Sequence, residues 1–372
     1  MAGNSELRDK AWFWLLFPAI AMSLGWMLRG FIGGGPLGAM IPGAMTGLAL
    51  CLLLARHRHA GLIAGFAAVG IGFGGQETYG QTVGLAFQPQ TFLWGILGFF
   101  IKGGKWGLLA GAIIGIAFTR NRYSDKDLIA ALALMVAGTY TGWKLLNQPK
   151  LIYFSNRIDR PREELWFGLL LGAVVMLVYL SWRAGAAIPW RFALWGALGG
   201  SIGFASGAAI HAWGHHNAPQ FPFGWWKFME MTFGFLLGLG LGICAWRNRN
   251  EISAQTDPCP PASPIPSLAW AALAIALALY LPSALTTRLD YSIAGALLLS
   301  IALYSEVFAW QTAITATYCA FAIDLLRYRP TYQAAVMWTL VVITTVIVCV
   351  YTARRPRVRN MFLLMTWLST LM

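Results

Sequence analysis

The chain has 372 residues, of which 58% are hydrophobic and 11% charged, well under the roughly 25% charge of an ordinary soluble chain. That balance excludes a soluble globular domain, and repeated apolar runs near the length of a hydrocarbon core predict an all-α polytopic integral membrane protein. The net charge of +13 sits in short loops between those runs rather than in a long basic and aromatic segment, so nucleic acid is excluded as a partner and the lipid bilayer is the expected one.

Residues 1–36 hold a first span, about Ala11–Leu28, ending at Arg29-Gly30 and the cluster Gly33-Gly34-Gly35-Pro36. So glycine-rich a stretch predicts a loop or a break in the membrane. Arg29 beside free backbone N–H groups there would suit an anion. No small-residue cleavage site follows the N-terminal polar segment, so the first run reads as a span. Arg8 and Lys10 favour a cytoplasmic N-terminus, and the expected location is a bacterial inner (plasma) membrane.

Residues 37–146 are expected to hold spans 2 to 5, at about Leu37–Ala55, Gly61–Gly80, Phe92–Thr119 and Leu128–Leu146. Span 3 runs into the polar, glycine-interleaved stretch Gly74–Thr82, where Gln76, Glu77 and Tyr79 could line a broken helix end. Span 4 is expected to be interrupted at Lys102-Gly103-Gly104-Lys105. A polar loop, 147–164, follows.

Residues 165–249 then repeat much of the pattern. Gly43/Gly47 recur as Gly168/Gly172, Gly70–Phe73 as Ser201–Phe204, and Pro89-Gln90 as Pro219-Gln220. The glycine ladder Gly107, Gly111, Gly115 with Arg120–Arg122 recurs as Gly234, Gly238, Gly242 with Arg247–Arg249. Four crossings separate the copies, so they are expected to be parallel, with their basic clips on one side of the membrane. The ladders are expected to pack helices closely, since small residues four apart share a face. They would pack span 4 and span 8 (about Trp225–Trp246) against span 3 and span 7 (about Arg191–Ala212), or against each other.

A Pro-rich linker, 250–266, leads into a C-terminal block, 267–372, with spans near Ser267–Leu285, Tyr291–Tyr304, Val307–Leu326 and Gln333–Tyr351. These bring the expected total to about 12 transmembrane helices. The tail from Asn360 is too short to span. None of the five cysteines forms a CxxC pair, which argues against a disulfide framework or a thiolate metal site.

The glycines repeat but the charged groups do not. Glu77 aligns with Ala208, Lys102 with Met229, Lys105 with Thr232, and Glu230 with Gly103. A duplicated scaffold with an asymmetric polar interior points to one shared site rather than two. Its candidate solute-binding residues are Arg29, Gln76, Glu77, Tyr79, Lys102, Lys105, Lys227 and Glu230, because charges at membrane depth are costly and mark pathways. His211, His215 and His216 read His-x-x-x-His-His. Residues i and i+4 share a helix face, so His211 and His215 could hold a single metal ion, with Glu230 or Glu77 as a third ligand. The spacing is similar to the histidine boxes of membrane di-iron desaturases and hydroxylases, but those need several boxes and only one is present.

The leading expectation is a transporter or channel for a small polar or anionic solute, with no cofactor. The alternatives are an intramembrane metal-dependent enzyme and a non-catalytic subunit or scaffold, in contact with other membrane proteins or with copies of itself. No ATP-binding motif is present.

Overall fold

The structure is a computed structural model that describes residues 9–32, 35–75, 79–155, 162–252, 331–354 and 357–370, with a few isolated positions between 254 and 272. Among the described residues every element is helical. In chain order these are α1 (Ala11–Ile32), α2 (Gly35–Leu53), α3 (Ala60–Gly74), α4 (Gly80–Phe87), α5 (Phe92–Phe118), α6 (Asp125–Gly142), α7 (Trp166–Ala184), α8 (Ala187–Asn217), α9 (Trp225–Asn248), α10 (Thr331–Arg354) and α11 (Val358–Thr370). Among the described residues five helices are long and apolar enough to cross a membrane: α5, α6 with its extension to Asn147, α7, α8 and α9. Shorter apolar helices accompany them at Ala11–Met27, Ala39–Leu53 and Ala60–Gly74. The expected spans between 267 and 326, and most of the linker 250–266, lie outside the described residues.

Two expectations are corrected. The interruption at Lys102–Lys105 is absent, because α5 is continuous from Phe92 to Phe118. The glycines there serve close packing: a Cβ on Gly103 would overlap the Gly200 carbonyl, and one on Gly104 the Ser201 hydroxyl. The two lysines are buried with protein partners, so neither forces the helix open. Likewise α1 does not stop at Arg29-Gly30 but continues to Ile32, and helix resumes at Gly35 with Pro36 in the first turn, where a missing N–H costs nothing.

The core of the bundle is the crossing of α5 and α8. Gly107 abuts the Gly196 carbonyl, Gly111 the Phe192 carbonyl, and Gly115 lies against Pro189. In lipid, such backbone contact replaces the hydrophobic drive that holds soluble helices together. The second ladder faces elsewhere, with Gly234 meeting Trp26, Gly238 the Pro18 carbonyl and Gly242 the Trp14 carbonyl, all on α1. A separate glycine face, Gly199, Gly203 and Gly207, joins α8 to α9. The aligned pairs also differ in partner: Gly43 and Gly47 pack on α3, whereas Gly168 and Gly172 pack on α6.

Contacts between helix ends give the chain direction. Arg56, after α2, donates to the Phe118 carbonyl at the end of α5 (3.5 Å). The Tyr123 hydroxyl donates to Gly185 O (2.9 Å), Arg183 pairs with Asp127 (2.7 Å), and Arg191 bonds Asn248 and Glu251. These bonds gather the ends of α2, α5, α7 and α9 and the starts of α6 and α8 into one basic rim. Burial pulls the Arg56 guanidinium below its usual value, with the Cys51 thiol opposing, and pushes the Tyr123 phenol up against Thr119 and Arg122. Ser124 and Asp127 form a reciprocal capping box that starts α6. At the far end α6 widens into a π turn, Trp143–Asn147, and Asn147 Oδ1 accepts from the Phe167 and Gly168 amides to cap α7. The apolar tail forms α11, whose buried Val358, Met361 and Met365 pack toward α1 and α2.

Candidate functional site

The bundle has a helix end in its interior. The third apolar run stops at Gly74, short of the expected Gly80, and the chain turns into the eight-residue α4. Buried carbonyls at a helix terminus need donors, and α5 supplies two. Lys105 Nζ donates to Gly74 O (2.7 Å), and Trp106 Nε1 donates to Ile71 O (2.7 Å). Lys105 is 2% exposed, and its charge complements the negative end of the α3 dipole. A side chain at Gly74 would occupy the space of the Trp106 indole, so only glycine lets this plug close.

From the start of α4, the Tyr79 hydroxyl donates to Glu230 Oε1 on α9 (2.7 Å). Trp226, one turn earlier on α9, donates to the same oxygen through Nε1 (3.1 Å). Glu230 is 1% exposed. The Tyr79 and Trp226 rings stack at 5.5 Å, and Phe204 of α8 meets Tyr79 edge-on at 5.2 Å. Behind them Trp106, Phe233 and Trp26 continue the aromatic wall. A carboxylate here is costly to desolvate and is held by strong, charge-assisted hydrogen bonds.

The middle of α4 anchors a second network. Lys102 Nζ reaches Glu164 Oε1 at 2.8 Å and the Thr82 hydroxyl at 2.9 Å, and both charged side chains are fully buried. Glu164 also accepts from the Phe154 amide (3.1 Å) and the Ser155 hydroxyl (2.8 Å), while Thr82 donates to Phe154 O (2.7 Å). The pair thus ties the 153–164 connection to α4 and α5. Glu164 stands in a stretch that reads as a solvated loop. The apolar Leu151–Phe154 run before it and Trp166 after it are the sequence signals of its burial.

The end of α4 meets the histidines. The Phe87 ring stacks flat on His215 (4.1 Å, 5°) and meets His211 edge-on (4.9 Å), while His216 Nε2 donates to Phe87 O (2.8 Å). His211 and His215 therefore enclose a phenyl ring. Glu230, one of the two expected third ligands, is engaged by Tyr79 and Trp226, and the other, Glu77, lies outside the described residues. Among the described residues no three His, Cys, Asp or Glu side chains converge on a metal position.

Of the sequence candidates, the structure brings Tyr79 to Glu230. It sets Lys102 on Thr82 and Glu164, and Lys105 on the end of α3. Lys227 is half-buried in the first turn of α9, one turn before Glu230. Gln76, Glu77 and the Arg29 side chain lie outside the described residues. Trp226, Thr82 and Glu164 are the site residues that sequence reasoning missed. Among known proteins, no family model, curated protein or solved structure matches the chain.

Proposed function

We propose that the chain is a membrane transporter or channel for a small polar or anionic solute. It works at one asymmetric site between two duplicated, parallel bundles, residues 37–146 and 165–249, within about twelve spans. The basic rim and the N-terminus face the cytoplasm of a bacterial cell, as the distribution of Arg and Lys favours.

The observation that carries this reading is the Tyr79–Glu230–Trp226 cluster at the α3–α4 break. A carboxylate in an aromatic interior is a poor structural device, since a hydrophobic group would fill the space at less cost. Interrupted helices supply free backbone groups and a place to move, which solute carriers use at their binding sites. Lys102 has a different task, its charge being taken up by Glu164; Lys105 and Lys227 are the positive groups proposed for an anionic solute. The packed aromatic wall corresponds to a closed state of the path.

The test is solute-driven current on solid-supported membranes carrying the purified protein, with amino acids, sugars, carboxylates and inorganic anions as probes. At least one probe gives a saturable current, and Glu230→Gln lowers it by about tenfold or more, the loss of a contact worth at least ~1.4 kcal/mol. An unchanged current in Glu230→Gln would remove Glu230 from the site.

A further inference from the structure

His211 carries a polar atom that the site has not used. The residue is 8% exposed, and its Nδ1 is buried with no hydrogen-bond partner among the described residues. A buried ring nitrogen left unsatisfied costs about 1–3 kcal/mol and calls for an explanation. The ring meets the Trp226 indole edge-on at 5.6 Å, and that indole donates to Glu230. The Trp226 ring therefore touches both the His211 ring and the buried carboxylate. On its other side His211 faces the exposed His215 and His216, one turn on along α8, across Phe87. Three imidazoles and a carboxylate thus lie in sequence from surface to interior.

Resting on the transport reading above, we propose that Glu230 is the proton-binding site of the carrier, and that protons reach it from the His215–His216 corner through His211. The proton is taken up at His211 Nε2 and released from Nδ1 towards the Glu230 carboxylate, past the Trp226 indole that touches both. The imidazole ends neutral with its tautomer exchanged, and the carboxylate becomes a carboxylic acid. Imidazole suits the step because one of its nitrogens can accept while the other donates. Among the described residues the charged and titratable groups on the surrounding elements include the Tyr79 phenol at the start of α4, Lys102 and Lys105 on α5, His215 and His216 on α8 and Lys227 on α9. From α1 the neighbour is neutral, Ser23 donating to Met231 O (3.1 Å). Protonating Glu230 weakens its bonds from Tyr79 and Trp226, which frees α4 from α9 and couples proton entry to opening of the cluster.

The test is time-resolved infrared spectroscopy of the full chain in lipid nanodiscs after a downward pH jump. The wild type develops a protonated-carboxyl band that Glu230→Gln lacks. Its rise slows about a hundredfold in His211→Phe, the lower end of what a positioned proton-transfer group contributes, and less in His215→Ala, whose exposed site tolerates truncation. A carboxyl band that survives Glu230→Gln, or no band at all, overturns Glu230 as the proton site. A wild-type rate in His215→Ala and in folded His211→Phe overturns the route. The readout does not depend on solute: the predicted band with no solute-driven current for any probe would sink the transport reading and leave the route standing.

Discussion

Lys102 and Lys105 sit three residues apart on α5 and do different things. Lys102 neutralises Glu164 in a fully buried pair, whereas Lys105 caps a helix end through the Gly74 carbonyl. Sequence placed both correctly in the interior but could not separate these tasks, because the partner acid lies 62 positions away in a stretch that looks polar. Breaking a buried ion pair from one side strands a charge at a cost of about 3–5 kcal/mol, while replacing both partners with apolar groups can be nearly neutral. Lys102→Met and Glu164→Leu should therefore each lower the thermal midpoint in detergent strongly, and the double variant should recover most of the loss. Additive losses would show that the two do not act as a pair. Tyr79→Phe keeps the ring stack and removes one bond to a carboxylate, so it should cost about 1.5–3 kcal/mol in denaturant unfolding. No measurable loss would mean that Glu230 does not depend on the Tyr79 bond.

At the scale of elements, the glycine ladders were legible because helical spacing makes i and i+4 neighbours. Their partners were not. The first ladder faces α8, the third helix's counterpart in the other copy and not α3 itself, and Gly234, Gly238 and Gly242 face α1, a helix outside either proposed repeat. Small residues state that a backbone comes close without naming which one. The continuity of α5 through Gly103-Gly104 was misread for a related reason: glycine weakens an isolated helix by about 1 kcal/mol per residue, yet here it lets two backbones touch. Gly107→Leu should therefore abolish monodisperse elution, since the new side chain would run into the Gly196 carbonyl. Gly84 on α4 is the contrasting case, with nothing within 4 Å of an added Cβ. Gly84→Ala should raise the thermal midpoint slightly through its gain of up to ~1 kcal/mol in helix propensity. A fall instead would mean that α4 needs flexibility there even in the folded state.

At the scale of the molecule, one end carries the basic rim, the other carries the histidine corner, and the broken helix α3–α4 lies between them. Composition alone made the helical membrane architecture legible, because lipid leaves few solutions for the backbone. The clustering of Arg56, Arg183 and Arg191 at one end agrees with the positions of the basic clips along the chain. The Tyr79–Glu230 contact was beyond sequence, since it joins residues 151 apart through a fold that periodicity cannot specify.

The central claim is that this interior is a path and not a packed core. It is tested most directly by replacing the native cysteines, introducing Ala208→Cys on α8 beside the His211 turn, and probing oriented proteoliposomes with a small membrane-impermeant thiol reagent. Ala208 is 2% exposed. Alternating access predicts labelling from both faces of the membrane, with rates that shift in opposite directions when the transported solute is added. No labelling from either face under any condition would contradict the account and leave the cluster as structure alone.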